Sequence, residues 1–243
     1  MAAELAGRGY SLILVARRGE ILDELADRFT RKHGITVEVR AVDLADPAAR
    51  APLVQELADR DIAVLCNNAG IATFGALADL DPAGERAQLE LNAVAVHELT
   101  LAVLPGMLRR KAGGILVSGS AAGNMPIPHN ATYAASKAFA NSFTEALRSE
   151  VKGTGVHITL LAPGPVRTET PDPAEASLVD RMVPDFLWVS AEHAARRSID
   201  GLTHNKMRVV PGVIGKGMST AGTYAPRAFT APVAGAFYRK LGG

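Results

Sequence analysis

Ser11-Leu-Ile-Leu-Val-Ala-Arg17 holds five consecutive apolar residues between a serine and an arginine. A strand with one wet face alternates apolar and polar residues. An unbroken apolar run reads instead as a strand covered on both faces, the habit of parallel sheets. Directly after it, Arg18–Gly34 switches to helical spacing, with Ile21, Leu22, Leu25 and Phe29 on one face. The same exchange recurs along the chain. Ile35–Val42 reads as a strand, and Pro47–Arg60 as a helix opened by Asp46 as N-cap and Pro47 at its first position. Ile62–Cys66 is a strand, and Pro82–Lys111 a long helical region interrupted or ended near Pro105. Gly114–Ser118 and Val156–Leu161 are strands on either side of a long helix, Ala131–Gly153. Ala191–Gly201 is helical and Met207–Val210 is a last short strand. Strands separated by helices imply parallel pairing through right-handed crossovers. The expected fold is α/β: an open, doubly wound parallel sheet with helices on both faces.

The 243 residues are 48% hydrophobic and 21% charged, a composition that excludes wholesale disorder. No linker or internal repeat divides them, so a single domain, 1–243, is expected. Residues 163–190 carry Pro163, Pro165, Pro171, Pro173 and Pro184 and read as a long substrate loop. Residues 211–243 form a Gly-, Ala- and Pro-rich extension in which Ala231–Leu241 suits a short helix. A net charge of +1 offers no bulk attraction to nucleic acid. The one cysteine, Cys66, leaves no internal disulfide and fits a reducing compartment. No apolar run approaches the roughly 18 residues of a membrane span, and the N-terminus lacks signal-peptide order, so a cytoplasmic protein is expected. None of the six histidines is spaced as a metal ligand pair, and no metal site is expected. No G-x-S-x-G elbow is present, which argues against a serine hydrolase.

The chemistry concentrates after the Gly114–Ser118 strand. Tyr133 and Lys137 are four apart at the start of a helix and so share a face. An ammonium beside a phenol favours the phenolate, and a phenol so tuned can exchange a proton with an alcohol near neutral pH. Ser120 precedes Tyr133 by thirteen residues and follows a strand's carboxyl end, where parallel sheets place ligand contacts.

The runs Gly114-Ile-Leu-Val-Ser-Gly-Ser-Ala-Ala-Gly123 and Tyr133-Ala-Ala-Ser-Lys137 resemble the short-chain dehydrogenase/reductase family. So do Asn67-Asn-Ala-Gly70, Leu91-Asn92, Val42-Asp43-Leu44 and Pro163-Gly-Pro-Val-Arg-Thr168, in the family's order. The resemblance implies a Rossmann-like fold and a catalytic set of Asn92, Ser120, Tyr133 and Lys137. Tyr133 would be the acid/base, Lys137 would lower its pKa and bind the nicotinamide ribose, Ser120 would hold the substrate oxygen, and Asn92 would support a proton relay. Asn67, Asn68, Ala69 and Gly70 would line the adenosine side. Asp43 and Leu44 would contact adenine, and Pro163, Gly164, Val166 and Thr168 the nicotinamide end. Arg17 and Arg18 directly follow the first strand with no acidic residue before Glu20, which favours NADP(H) over NAD(H).

The implied activity is an NADP(H)-dependent oxidoreductase interconverting a carbonyl and a secondary alcohol. Its small-molecule ketone or alcohol would be apolar or lipid-like, with Met182, Val183, Phe186, Leu187 and Trp188 available to line a lid. Family members pair through the helices carrying Asn92 and Tyr133, so a homodimer or homotetramer is expected. One departure stands out. The family's first strand and glycine-rich loop have no counterpart before Ser11, and Gly7-Arg-Gly9 reads as a helix C-terminal turn. This start then differs from the native one, or the chain is truncated. The Ser11–Arg17 and Ile62–Cys66 strands would each lack a partner, and cofactor binding would be weakened. The alternative function is a catalytically impaired binding or assembly module.

Overall fold

The computed structural model describes residues 1–164, 166–167, 188–212, 215–217 and 219–220. The chain opens with helix α1 (Ala2–Gly7). It ends as the Gly7-Arg-Gly9 reading requires: Gly9 takes a φ of +82°, and the N–H groups of Gly9 and Tyr10 return to the carbonyls of Ala6 and Leu5. Strand β1 (Leu12–Ala16) then pairs in parallel with β2 (Val37–Ala41) through helix α2 (Gly19–His33). Leu22 and Phe29 of α2 are buried and Leu25 packs beside them, but Ile21 is 41% exposed and leaves the expected face. β1 also departs from expectation. Only Leu14 is fully buried, because β1 has a hydrogen-bonded neighbour on one edge alone.

The second sheet runs β3 (Val64–Asn67), β4 (Gly113–Ser118), β5 (Val156–Leu161), β8 (Arg208–Val209), all parallel. β4 and β5 are its centre, with Ile115, Leu116, Val117, Ile158 and Leu160 at 0–1% exposure. Among the described residues the β1–β2 and β3–β4–β5–β8 ladders share no hydrogen bonds, and β1 and β3 are each paired on one edge. Side chains bridge the seam instead. Ile13 and Val15 of β1 and Leu65 of β3 pack into one cluster with Leu53, Leu99, Val103 and Met107. On the other side Leu12, Val64 and Cys66 meet Leu5, Ile199 and Leu202.

Helix α3 (Pro47–Ala58) starts as read, with Asp46 accepting the Ala48 N–H at 2.9 Å. After β3 come α4 (Pro82–Leu89), a π-helical turn (Glu90–Val94) and α5 (Ala95–Arg110). The expected break at Pro105 does not occur. Pro105 and Leu101 are both exposed, so the lost proline N–H falls on the solvent side of the helix, where a proline is tolerated. The irregularity lies at Asn92 instead. Against the expectation from unbroken apolar runs, Pro82–Arg110 is long and apolar enough to cross a membrane by length and composition: an 18-residue stretch of it has a mean hydropathy of 1.4, and half of that stretch is buried inside the protein. Helices α6 (Ala131–Glu150) and α7 (Ala191–Thr203) complete the crossovers. At the ends of the proline-rich loop, β6 (Val166–Arg167) pairs with β7 (Val189–Ser190). The lid residues Met182, Val183, Phe186 and Leu187, and the expected helix 231–241, lie outside the described residues.

Candidate active site

The site is assembled at the carboxyl ends of β3, β4 and β5, where β4 runs into a short 3-10 turn, Ala121–Asn124. Ser120 caps that turn, its Oγ accepting the Ala122 N–H at 3.1 Å. α6 then crosses behind it, presenting Tyr133 and Lys137 on successive turns. Ser120 lies beside the Tyr133 hydroxyl and acts on its titration. Lys137, 5% exposed, donates from Nζ to the Ser118 carbonyl at 2.8 Å and lies 5.8 Å from the centroid of the Tyr133 ring.

The ammonium thus lies over the Tyr133 ring, held there by the Ser118 carbonyl. Burial holds the Tyr133 phenol above its usual value, and Ser120 offsets only part of that rise. Burial also brings Lys137 down to about 8.

Asn92 is completely buried in the π turn. Its Oδ1 accepts from the Ile71 N–H at 3.0 Å, and its Nδ2 donates to the Ile71 carbonyl at 2.9 Å and to Ser136 Oγ at 3.1 Å. The one extra residue of a π turn lets a helix aim such a side chain inward. Asn92 thus ties the segment after β3 to α6 one residue before Lys137. Gly70 sits in the same corner: a Cβ there would come within 3.1 Å of Asn92 Oδ1 and 3.2 Å of Lys137 Nζ.

The other sequence candidates divide. Asn68, Ala69 and Gly70 are exposed at the end of β3, and Asn68 Oδ1 accepts from Ser118 Oγ at 3.1 Å. Asn67 is buried, and its Nδ2 is bonded to Thr100 Oγ1 at 3.1 Å on α5, so its side chain points into the core rather than to a cofactor cleft. Asp43 Oδ1 accepts from the Ala45 N–H at 2.9 Å, shaping the turn after β2. Leu44 is buried in the core, and its carbonyl accepts from Arg50 Nη1 at 2.5 Å. The Pro163 carbonyl accepts the Ala121 N–H at 3.2 Å, which ties the end of β5 to the Ser120 turn. Gly164 follows it, Val166 lies in β6, and Thr168 is outside the described residues. Arg17 and Arg18 are exposed beyond β1, and neither makes an ion pair or hydrogen bond with another described side chain.

Two residues of this region escaped the sequence reading. Asn141, on the Tyr133–Lys137 face of α6, bonds to the backbone of Ser120. Its signal is a polar residue at positions i+8 and i+4 from that pair. Arg50, 0% exposed, reaches Glu98 Oε2 at 2.7 Å and Glu90 Oε2 at 3.0 Å as well as Leu44. Nothing in its spacing distinguishes it from a surface arginine of α3.

The sequence model of the short chain dehydrogenase family matches residues 1–177. Sulfoacetaldehyde reductase 2 of Chromohalobacter salexigens is 38% identical over 172 residues, 69% of this chain and 68% of that protein. The very-long-chain 3-oxoacyl-CoA reductase of Bos taurus is 34% identical over 173 residues, and the aligned part spans 55% of its length. Among solved structures, a short-chain dehydrogenase from Sphingobium yanoikuyae in complex with NADPH superposes with a TM-score of 0.80 at 29% identity, covering 87% of this chain and 82% of that one. A 7beta-hydroxysteroid dehydrogenase, 21% identical, superposes at 0.81 over 95% of this chain and 89% of its own, which bears on the fold alone. A match over most of the chain, a relative above one-third identity and a shared Rossmann-like architecture lead to one statement: this chain belongs to the short-chain dehydrogenase/reductase family of carbonyl–alcohol oxidoreductases.

Proposed function

We propose that this protein uses NADP(H) to interconvert a carbonyl and a secondary alcohol, with Tyr133 as the acid/base. The observation that carries the reading is the buried Tyr133 phenol set beside Ser120, with Lys137 5.8 Å from its ring. Bound NADPH would supply the hydride that reduces the carbonyl carbon. Ser120 would hold the carbonyl oxygen while Tyr133 gives it the phenolic proton; in the oxidative direction Tyr133 takes that proton back. Lys137, brought to about 8 by burial, switches charge close to working pH, and an anionic phenolate beside it would hold its proton on. The residues fit the cofactor: exposed Asn68, Ala69 and Gly70 follow β3, Gly164 lies beyond β5, and exposed Arg17 and Arg18, without a side-chain partner among the described residues, follow β1. A 2′-phosphate would meet those arginines.

We assign the substrate to an apolar or lipid-like class from the apolar residues of the proline-rich loop. The names of the relatives are consistent with carbonyl reduction and span both a small sulfonated aldehyde and a long oxoacyl thioester. We further propose self-association through α5 and α6, where Leu101 is 54% and Phe139 41% exposed. Light scattering that finds a monomer would overturn that last point.

Tyr133→Phe tests the mechanism. Turnover should fall by at least a thousandfold while NADPH affinity, measured by fluorescence titration, changes less than about twofold. Retained turnover would sink the assignment. Arg17→Glu should weaken NADPH about tenfold or more and leave NADH unchanged. Equal losses for the two nucleotides would remove the arginines from cofactor selection.

A further inference from the structure

Asn141 sits on α6 one turn beyond Lys137, 4% exposed. Asparagine is a poor helix former in mid-helix, and a buried amide must find partners for all its polar atoms. Asn141 finds them on a single neighbouring turn. Its Oδ1 accepts the Ser120 N–H at 3.3 Å, and its Nδ2 donates to the Ser120 carbonyl at 2.9 Å and to Asn124 Oδ1 at 3.0 Å. One planar amide therefore grips the backbone of Ser120 on both sides of its Cα, holding it extended at φ −162° and ψ 152°. With both Nδ2 hydrogens and Oδ1 engaged, little remains for a substrate contact.

Gly119 is the condition for this grip. A Cβ there would lie 2.0 Å from Asn141 Oδ1 and 2.7 Å from Leu160 Cδ1, so any larger residue would push the amide away. The side chain of the gripped residue is the one that meets Tyr133. Its Oγ accepts from the Ala122 N–H at 3.1 Å and lies beside the phenol. The Ser120 hydroxyl can turn away only by rotating χ1 or by moving its backbone, and Asn141 blocks the second route.

We infer that Asn141 fixes the Ser120 hydroxyl against the Tyr133 phenol and is thereby a positioning residue for the proton transfer. The inference rests on the reading of Tyr133 as the acid/base. Freed of Asn141, Ser120 would spend part of its time away from the phenol, leaving burial to act on Tyr133 alone.

The experiment is an alkaline titration of tyrosinate absorbance on the whole chain, run on wild type, Tyr133→Phe, Asn141→Leu and Asn141→Ser. The step lost in Tyr133→Phe belongs to Tyr133. In both Asn141 variants that step should move to higher pH, or beyond the range in which the fold survives. Turnover should fall roughly ten- to a hundredfold with the nucleotide KM unchanged. Asn141→Ser adds no bulk, so it preserves the test if Asn141→Leu fails to fold by circular dichroism. Gly119→Ala, which displaces the amide without touching Asn141, should shift the step in the same direction. Asn124→Ala, which leaves both bonds to Ser120 in place, should not move it. An unmoved Tyr133 step in a folded Asn141 variant overturns the inference and leaves the acid/base reading standing. Turnover that survives in Tyr133→Phe overturns the acid/base reading and, with it, the catalytic meaning of the clamp.

Discussion

Lys137 carries an ammonium into a site where it makes one hydrogen bond, to the Ser118 carbonyl, and no ion pair among the described residues. The cost is legible in its titration. A lysine moved by burial from 10.5 to about 8 opposes folding by about 3 kcal/mol while it is charged in both states. The sign follows from proton uptake. Between about pH 8 and 10.5 the unfolded chain binds the proton more tightly than the folded one, so this cost is present in full below 8 and is relieved as pH rises through that window. Lys137→Met should therefore stabilise the protein by up to about 3 kcal/mol at pH 7 in urea melts, and the gain should vanish near pH 10.5. A constant difference across that range would mean that the ammonium is not the cause. Arg50 is the counter-case. It is as deeply buried but is met by Glu90, Glu98 and the Leu44 carbonyl, and Glu98 is 39% exposed to water on its side chain, so the cation is compensated where Lys137 is not.

At the scale of elements, that guanidinium joins α3 to the start of the π turn, to α5 and to the turn after β2. Arg50→Met should cost about 3–5 kcal/mol, because two carboxylates and a carbonyl lose their partner together; Asp46→Ala, a lost N-cap on the same helix, should cost only about 1. Denaturant midpoints would separate the two, and near-equal losses would show that the cluster is solvated rather than structural. The contrast also marks what a sequence can carry. Asp46-Pro47 announces a helix start because capping is local, and the β4 and β5 runs announce buried strands because both faces must be apolar. Tyr133 and Lys137 are legible because helical spacing alone places them together. Ile21 misleads because apolar spacing cannot say which flank of a helix the sheet will cover. Pro105 misleads because the cost of proline depends on whether it falls on the solvent side of the helix, a tertiary fact. The π turn and the grip of Asn141 on Ser120 depend on contacts twenty or more residues apart, and no local pattern encodes them.

For the whole molecule, the two ladders are the governing fact. Among the described residues, β4 and β5 are paired on both edges and buried, whereas β1 and β3 are paired on one. Native-state hydrogen exchange should find the amides of β4 and β5 slowest, and β1–β2 opening as a separate, less stable unit; identical protection across both ladders would contradict this. Cys66 gives a second probe. It lies in β3, and burial pushes its thiol up to about 11, so alkylation of the native protein should be slow at pH 8 and follow the opening of that region. The seam also gives the molecule a mechanical grain. Along the strands, and across β3–β4–β5, tension is shared by rows of hydrogen bonds; across the β1–β3 line it falls on interleaved Ile13, Val15, Leu65 and Leu12, which slide and re-seat without breaking a bond. Among the described residues, a pull at right angles to the strands is therefore met by bonds within each ladder and by side-chain packing alone between them.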